Sequence, residues 1–398
     1  MGKKPTLAKK KKILAIDTSC DDTSVAILEG ARVLANVVAS QTNIHQQYGG
    51  VFPTLAKQAH QANIEACTKT ALHRAGFNDE SKIKDQLQAV AVTVGPGLAP
   101  ALEVGINYAK KLAKMWQLPI IPVNHIEAHA LSPLLQPKTQ NLSRTINFPV
   151  LAMVISGGHS EFILIKKSGD YERLGWTVDD SAGECLDKIG RMLDLGYPAG
   201  PILEKLAKKG NAKRWSLPLA MTNVENFNLS FSGFKTATHQ LIKQLKKEEK
   251  LDAQAVCDLA AIVQQQVFAQ INYKLEKILF SPDLNQKIYP KAQLSKKIKQ
   301  GKIKPPITTI NELWLGGGVA ANIALRNSIR HTLKNYQKLS AKKINLYLPY
   351  HKKFCADNAA MIALTAHLTL KRGVTTFEGK LDRQPNLAIG AALPSMLE

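Results

Sequence analysis

The feature that most narrows the folding options is a pattern that occurs twice. Residues 13–29, "ILAIDTSCDDTSVAILE", read as an apolar strand, a turn with three carboxylates (Asp17, Asp21, Asp22) and four hydroxyls, and a second apolar strand. Residues 149–167, "PVLAMVISGGHSEFILIKK", repeat the layout around the small polar turn from Ser156 to Ser160. Short apolar runs bounded by turn residues are the mark of buried strands. "RVLANVVAS" adds a third strand to the first pair, and helical and strand patterns then alternate. The order β-β-β-α-β-α-β-α implies a mixed sheet covered by helices. After the second hairpin, helices are expected at about 182–194, 201–209, 232–248 and 252–280. A strand, glycine turn and helix follow in "ITTINELWLGGGVAANIALRNSIRH", then the strand "INLYLP" and the helix "CADNAAMIALTAHLTLKRG". The chain therefore reads as two related α/β halves. Glycine-rich turns offer backbone N–H groups to anions, and carboxylates hold metals or orient nucleophiles. Facing turns of this kind in a duplicated fold can hold a nucleotide's phosphates, so each polar turn is a candidate lining of a phosphate cleft, the alternative being a decorated surface hairpin.

A length of 398 residues suits about two domains. The expected division is a basic tail at 1–12, a first domain of 13–130 with about 358–398, and a second of 131–357. A lysine-rich insert at about 282–306 interrupts the second and is expected to be irregular. No run approaches the roughly 20 apolar residues of a membrane span, and the basic start lacks a secretory or transit pattern. Five scattered cysteines without CxxC argue against disulfides and a thiolate zinc site. These features fit a cytoplasmic protein with no membrane attachment. The formal charge of +22 favours phosphate-rich partners bound in a salt-dependent way, although lysine runs also serve as solvated tails.

"HIEAHA" carries the most chemistry. A helix advances about 100° per residue, so His125 and His129 lie about 40° apart on one face, as a chelating pair requires. Glu127 points to roughly the opposite side. It therefore cannot act as the metal-side base of a HExxH peptidase. Asp357, in "FCADNAAM", can supply a third ligand or, alternatively, cap the following helix. Two imidazoles and a carboxylate leave open positions, a pattern typical of Fe(II) and compatible with zinc. "LWLGGGVAANIALRN" places three glycines between a strand and a helix, where backbone can approach a ligand. Asn322, on the first turn of that helix, can hydrogen-bond a ribose or base. In "GECLDKIGRMLDLGYPAGP", Asp187 lies on a helix and Gly200 in a turn beyond it; a solvated helix face is the plainer reading of Asp187.

Together, "DTSCDDTSVAIL", "QQYGGVFPTLAKQAH", "TVGPGLAPALEVGINYAKKLA", "PVNHIEAHALSPLL", "VISGGHSEF", "DDSAGECLDKIGRMLDLGYPAGP", "LSFSGFKTA", "LGGGVAAN" and "CADNAAMIA" resemble the bacterial TsaD (Gcp) family over about 13–395. Its members are tRNA N6-adenosine threonylcarbamoyltransferases, formerly called O-sialoglycoprotein endopeptidases. The resemblance implies an ASKHA (actin-like ATPase) fold: two duplicated RNase H-like domains with a nucleotide and metal cleft between them. It implies threonylcarbamoyl-AMP as donor and N6 of adenosine 37 as acceptor, in tRNAs reading codons that begin with A. Matched to the family, His125, His129 and Asp357 are metal ligands. Val154, Ile155, Ser156, Gly157 and Gly158 line the nucleotide, with Asp187, Gly200 and Asn322 as further contacts. The implied cofactor is one divalent metal, Fe(2+) first and Zn(2+) or Mg(2+) as alternatives. The implied partners are tRNA, TsaB and TsaE.

The chain departs from the family in carrying Asp17 and Asp22 where Glu is usual, Ala199 where glycine is usual, and the lysine insert. Asp21 or Asp22 is the candidate acceptor of the N6 proton, and the insert is expected to help grip tRNA. The rival readings are a small-molecule kinase of the same fold, a metallopeptidase and a nucleotide-gated scaffold without enzymatic activity.

Overall fold

A computed structural model describes residues 12–140, 144–222, 224–281, 309–374 and 381–391. The lysine tail up to residue 11 and the lysine-rich insert lie outside them. In chain order the elements that matter here are β1 (Lys12–Asp17), β2 (Asp22–Glu29), β3 (Arg32–Ser40), α1 (Pro53–Arg74), β4 (Leu87–Gly95), α2 (Ala99–Trp116), β5 (Ile120–Asn124) and α3 (His125–Leu131). There follow β6 (Val150–Ile155), β7 (Ser160–Lys167), β8 (Asp170–Trp176), α4 (Ala182–Met192), α5 (Gly200–Ala207), α6 (Ser232–Lys247) and α7 (Ala253–Leu279). The described chain continues through β9 (Glu312–Gly316), α8 (Ile323–Ser340), β10 (Asn345–Tyr347) and α9 (Ala359–Lys371). The helices expected after the second hairpin are present to within two residues at each end.

The chain divides into two units, one of Met1–Ile44, Val51–Arg144 and Asp357–Glu398, the other of His45–Gly50 and Thr145–Ala356. In the first, the five strands run in the order β3-β2-β1-β4-β5. β1 pairs antiparallel with β2 and parallel with β4, and the outer pairs are β2–β3 antiparallel and β4–β5 parallel. One face of this sheet, through Leu14, Ile16, Val25, Ile27, Val90 and Val92, shares a core with Ile64, Ala71 and Leu72 of α1 and Leu102, Ile106 and Ala109 of α2. Because side chains alternate along a strand, Ala15 takes the other face, level with Ala26 and Ala91 on the neighbouring strands. All three alanines are fully buried. They form a flat, small-residue floor for α9, which lies against β1 and β2 with its own alanines buried.

The second unit repeats the plan. Its sheet runs β10-β9-β6-β7-β8, which read backwards is the unit's third, second, first, fourth and fifth strand, the same order as β3-β2-β1-β4-β5. Again the first hairpin strands are antiparallel and the last two strands parallel. Leu151, Met153, Ile155, Leu313 and Leu315 pack with Leu186 and Ile189 of α4, Ile262 and Ile271 of α7 and Leu325 and Ile329 of α8. The same strand order and polarity in both halves is the RNase H-like plan, and its duplication in one chain is the ASKHA architecture. Among the described residues, no helix is long and apolar enough to cross a membrane.

Candidate metal and nucleotide sites

In the first unit, α3 starts where β5 ends. Asn124 makes that corner: its Oδ1 accepts from the backbone N–H groups of Ile126 and Glu127, at 2.8 and 3.1 Å. Its Nδ2 donates to the carbonyls of Leu387 and Ala388. The cap fixes His125 as the first helical residue and His129 one turn later. The two rings lie 4.6 Å apart between centroids, nearly perpendicular.

Asp357 comes from the far end of the chain. It does not cap α9; the neighbouring Asn358 does, accepting from the N–H of Met361 at 3.2 Å. Asp357 is therefore left to face the histidines. Its Oδ1 lies 3.0 Å from His129 Nε2 and 3.5 Å from His125 Nε2. The donor atoms of the three residues lie within 4.8 Å of one another. Two imidazole nitrogens and one carboxylate oxygen converging from two helix starts are a set that fits a divalent transition metal.

A fourth residue, which the sequence did not mark as a site residue, completes the cluster. Asp17 closes β1 and is 1% exposed. Its Oδ1 accepts from Thr93 Oγ1 at 2.8 Å and from the N–H of Ser19 at 3.2 Å. Its Oδ2 has no hydrogen-bond partner and lies 3.6 Å from His125 Nδ1, which also lacks one. A carboxylate behind a ligating imidazole fixes its ring and tautomer. Burial disfavours charge on His125, but Asp17 and Asp357 outweigh it and raise its pKa to about 10. Burial also works against the Asp357 carboxylate, yet the facing imidazoles hold it well below the carboxylate range. Burial pushes His129 down.

The polar turn between β1 and β2 is used mostly inside its own unit. Thr18 donates to the carbonyl of Ala101 at 2.9 Å. Thr23 meets His60 Nδ1 at 2.8 Å. Ser24 donates to Val37 and accepts from the N–H of Ala359, at 3.1 and 2.8 Å, which pins the start of α9 and with it Asp357. A Cβ at Gly105 of α2 would sit 2.4 Å from Thr18 Oγ1, so helix and turn touch without room for a side chain. Against the expectation that this turn lines a phosphate cleft, three of its four hydroxyls are bonded inside the first unit: Thr18 to α2, Thr23 to α1 and Ser24 to β3 and the start of α9. Asp22 differs. Burial and then the charge of Asp21 raise its pKa to about 7. Glu127, expected to point away from the histidine face, pairs with Arg372 at 3.5 Å.

In the second unit, Val154 and Ile155 end β6. Ser156 makes the turn, donating from its N–H to the His159 carbonyl at 2.7 Å and accepting from the His159 N–H at 3.0 Å. A Cβ added at Gly157, Gly158, Gly200 or Gly318 would meet nothing within 4 Å, so these corners border open space. Gly317 is the opposite case: at φ +92° its Cβ would lie 2.4 Å from the Ile155 carbonyl. Asp187 is not on a solvated face; its Oδ1 accepts the N–H groups of Ala199 and Gly200, at 2.8 and 3.1 Å. Asn322 is the N-cap of α8, accepting from Ala324 and Leu325, while its Nδ2 donates to Gln264 Oε1 at 2.9 Å. Both side chains are thus occupied in setting helix starts.

A family model described as TsaD, tRNA N6-adenosine threonylcarbamoyltransferase, matches residues 32–364. The chain belongs to the TsaD family. Proteins named tRNA N6-adenosine threonylcarbamoyltransferase include one from Phocaeicola vulgatus, 39% identical over 356 residues, covering 89% of this chain and 93% of its own length. Another, from Riemerella anatipestifer, is 39% identical over 368 residues, 92% of this chain and 94% of its own. A third, from Thermosipho africanus, is 37% identical over 383 residues, 95% and 99% of the two chains. Within this TsaD-family chain His125, His129 and Asp357 all fall inside the matched span.

Proposed function

We propose that this chain transfers the threonylcarbamoyl group from threonylcarbamoyl-AMP to N6 of adenosine 37 in tRNAs reading codons that begin with A, releasing AMP. Family membership supports the reaction, and the observation that carries the reading to named residues is the convergence of His125, His129 and Asp357. In this reading the three hold one divalent metal, iron first and zinc or magnesium as alternatives, which supplies Lewis-acid polarisation of a donor oxygen. Asp17 holds the His125 ring, and Ser24 and Asn358 hold Asp357 in place.

In the second unit, the N–H groups at Gly157–Gly158 and Gly317–Gly318 bind the adenylate. Asp187 and Asn322 act on it through the helix starts that they fix. The amine N6 is a weak nucleophile, so holding it in line with the carbonyl carbon does much of the work. The new N–C bond forms as the bond from that carbon to the phosphate oxygen breaks. AMP leaves with the electron pair, and N6 gives up a proton. Asp22, with its pKa near 7, is the acceptor this reading favours, with Asp21 beside it. TsaB and TsaE are the partner proteins proposed from the resemblance.

The test is to incubate the chain, with those partners, with threonylcarbamoyl-AMP and unmodified tRNA and to digest to nucleosides. Threonylcarbamoyladenosine that depends on His129 is expected. Its absence from the wild-type reaction would refute the reading.

A further inference from the structure

Between Glu312 and Asp357 the chain carries no acidic residue, yet it holds Arg326, Arg330, Lys334, Lys338, Lys342, Lys343, Lys352 and Lys353. Elsewhere, several surface lysines pair with acids: Lys57 with Glu103, Lys69 with Glu65, Lys188 with Asp180 and Glu184. In this stretch, among the described residues, Arg330, Lys334, Lys338, Lys352 and Lys353 meet no carboxylate. Arg330, Lys334 and Lys338 recur every four residues on the exposed face of α8, a row about 12 Å long. Lys352 and Lys353 are exposed in the turn after β10, beside Tyr350, an aromatic left 43% exposed.

The helix and the turn are tied together. Arg326, one turn before Arg330, donates to the Ala320 carbonyl at 2.6 Å and reaches Cys355 Sγ at 3.4 Å. β9 and β10 are parallel, so this turn and the Gly316–Gly318 corner leave the sheet at the same end. Among the described residues these cations meet no carboxylate, and Lys352 and Lys353 lie beside an exposed aromatic whose ring lies 4.8 Å from that of Phe354; exposed cations and an exposed aromatic are the combination that grips an RNA backbone and stacks an unpaired base.

We propose that the exposed face of α8 and the turn at 350–353 form the docking surface for the RNA substrate. Arg330, Lys334, Lys338, Lys352 and Lys353 contact phosphates, and Tyr350 stacks on a splayed base. This rests on the tRNA-modifying reading above.

The test measures binding of an unmodified tRNA transcript to the full chain across a salt series. The variants are Arg330→Glu with Lys334→Glu, Lys352→Glu with Lys353→Glu, and Tyr350→Leu. Lys243→Glu with Lys247→Glu on α6 makes the same charge change elsewhere in the unit. Each of the first two doubles should lower the slope of log affinity against log salt by about 1.5 and weaken binding by about tenfold or more. Tyr350→Leu should weaken binding about tenfold with the slope unchanged. The control double should keep the wild-type slope. Equal losses in all three doubles would show a net-charge effect and overturn the proposal. So would wild-type binding in the first two; if the reconstituted reaction nevertheless failed in them, the face would belong to an acidic protein. A wild-type chain that modifies tRNA while these variants do so with unchanged KM leaves the function standing and removes the surface. A wild-type chain that neither binds nor modifies tRNA removes both.

Discussion

The two units share one strand order and polarity, yet their first hairpins have opposite contents. In the first unit, the turn between β1 and β2 buries Asp17, Thr18, Ser19, Thr23 and Ser24 and packs them against helices. In the second, the matching turn exposes Gly157 and Gly158 to open space. The same frame thus yields a buried polar cluster in one half and an open backbone corner in the other. The first arrangement holds its side chains rigidly, and the second leaves backbone N–H groups at an open surface, the kind of corner that meets an anion. A duplicated fold divides its labour through such corners, because the sheet core is needed intact in both copies.

The sharpest way to break this comparison is to remove a ligand from the first corner. His129→Ala should lower threonylcarbamoyl transfer by at least about 100-fold and abolish metal retention, measured by elemental analysis. Asp17→Asn should be milder: metal affinity down about 10- to 100-fold, with the far-ultraviolet circular dichroism unchanged. If Asp17→Asn binds metal like the wild type, the aspartate only braces the β1 end.

In the second corner, two neighbouring glycine positions should separate. Gly317→Ala places a side chain at φ +92° and 2.4 Å from a carbonyl, and should cost about 2–3 kcal/mol in denaturant unfolding. Gly157→Ala has room and should stay within about 0.5 kcal/mol of wild type. Similar losses in both would mean the corner is not open. Asn358→Ala removes the cap behind Asp357 and should cost about 1 kcal/mol.

The smallest effect lies in a buried cation of the second unit that serves no corner. Lys274 is fully buried and donates to the Asn226 carbonyl at 2.9 Å; burial, then Lys277, lower its pKa from 10.5 to about 8. Between those two values the unfolded chain binds more protons than the folded one, so stability should rise with pH across that window. Lys274→Met should flatten that rise in pH-dependent unfolding.

Much of this was legible in the sequence, for reasons that are local. Apolar runs fixed the strands, and glycine turns fixed the corners at 157–158 and 316–318. The i, i+4 spacing placed His125 and His129 on one face. What escaped depends on contacts between distant segments. Asp17 reads as the polar end of a strand until β5 brings His125 beside it. Asp357 and Asn358 are both good caps by type, and only the fold shows that Asn358 takes the cap and frees its neighbour. Asp187 reads as a solvated helix residue because its partners, the N–H groups of Ala199 and Gly200, carry no side-chain signature. The exposed charge of α8 also becomes a surface only once its buried face is known.

The most direct test strips the purified chain of metal with a chelator and assays modified nucleoside before and after a divalent ion is restored, in the wild type and in Asp357→Ala. The account predicts about one ion per wild-type chain, transfer that is lost on stripping and regained on restoring, and an Asp357→Ala chain that holds no ion and stays inactive. Undiminished transfer by the stripped wild type, or by Asp357→Ala, would contradict it.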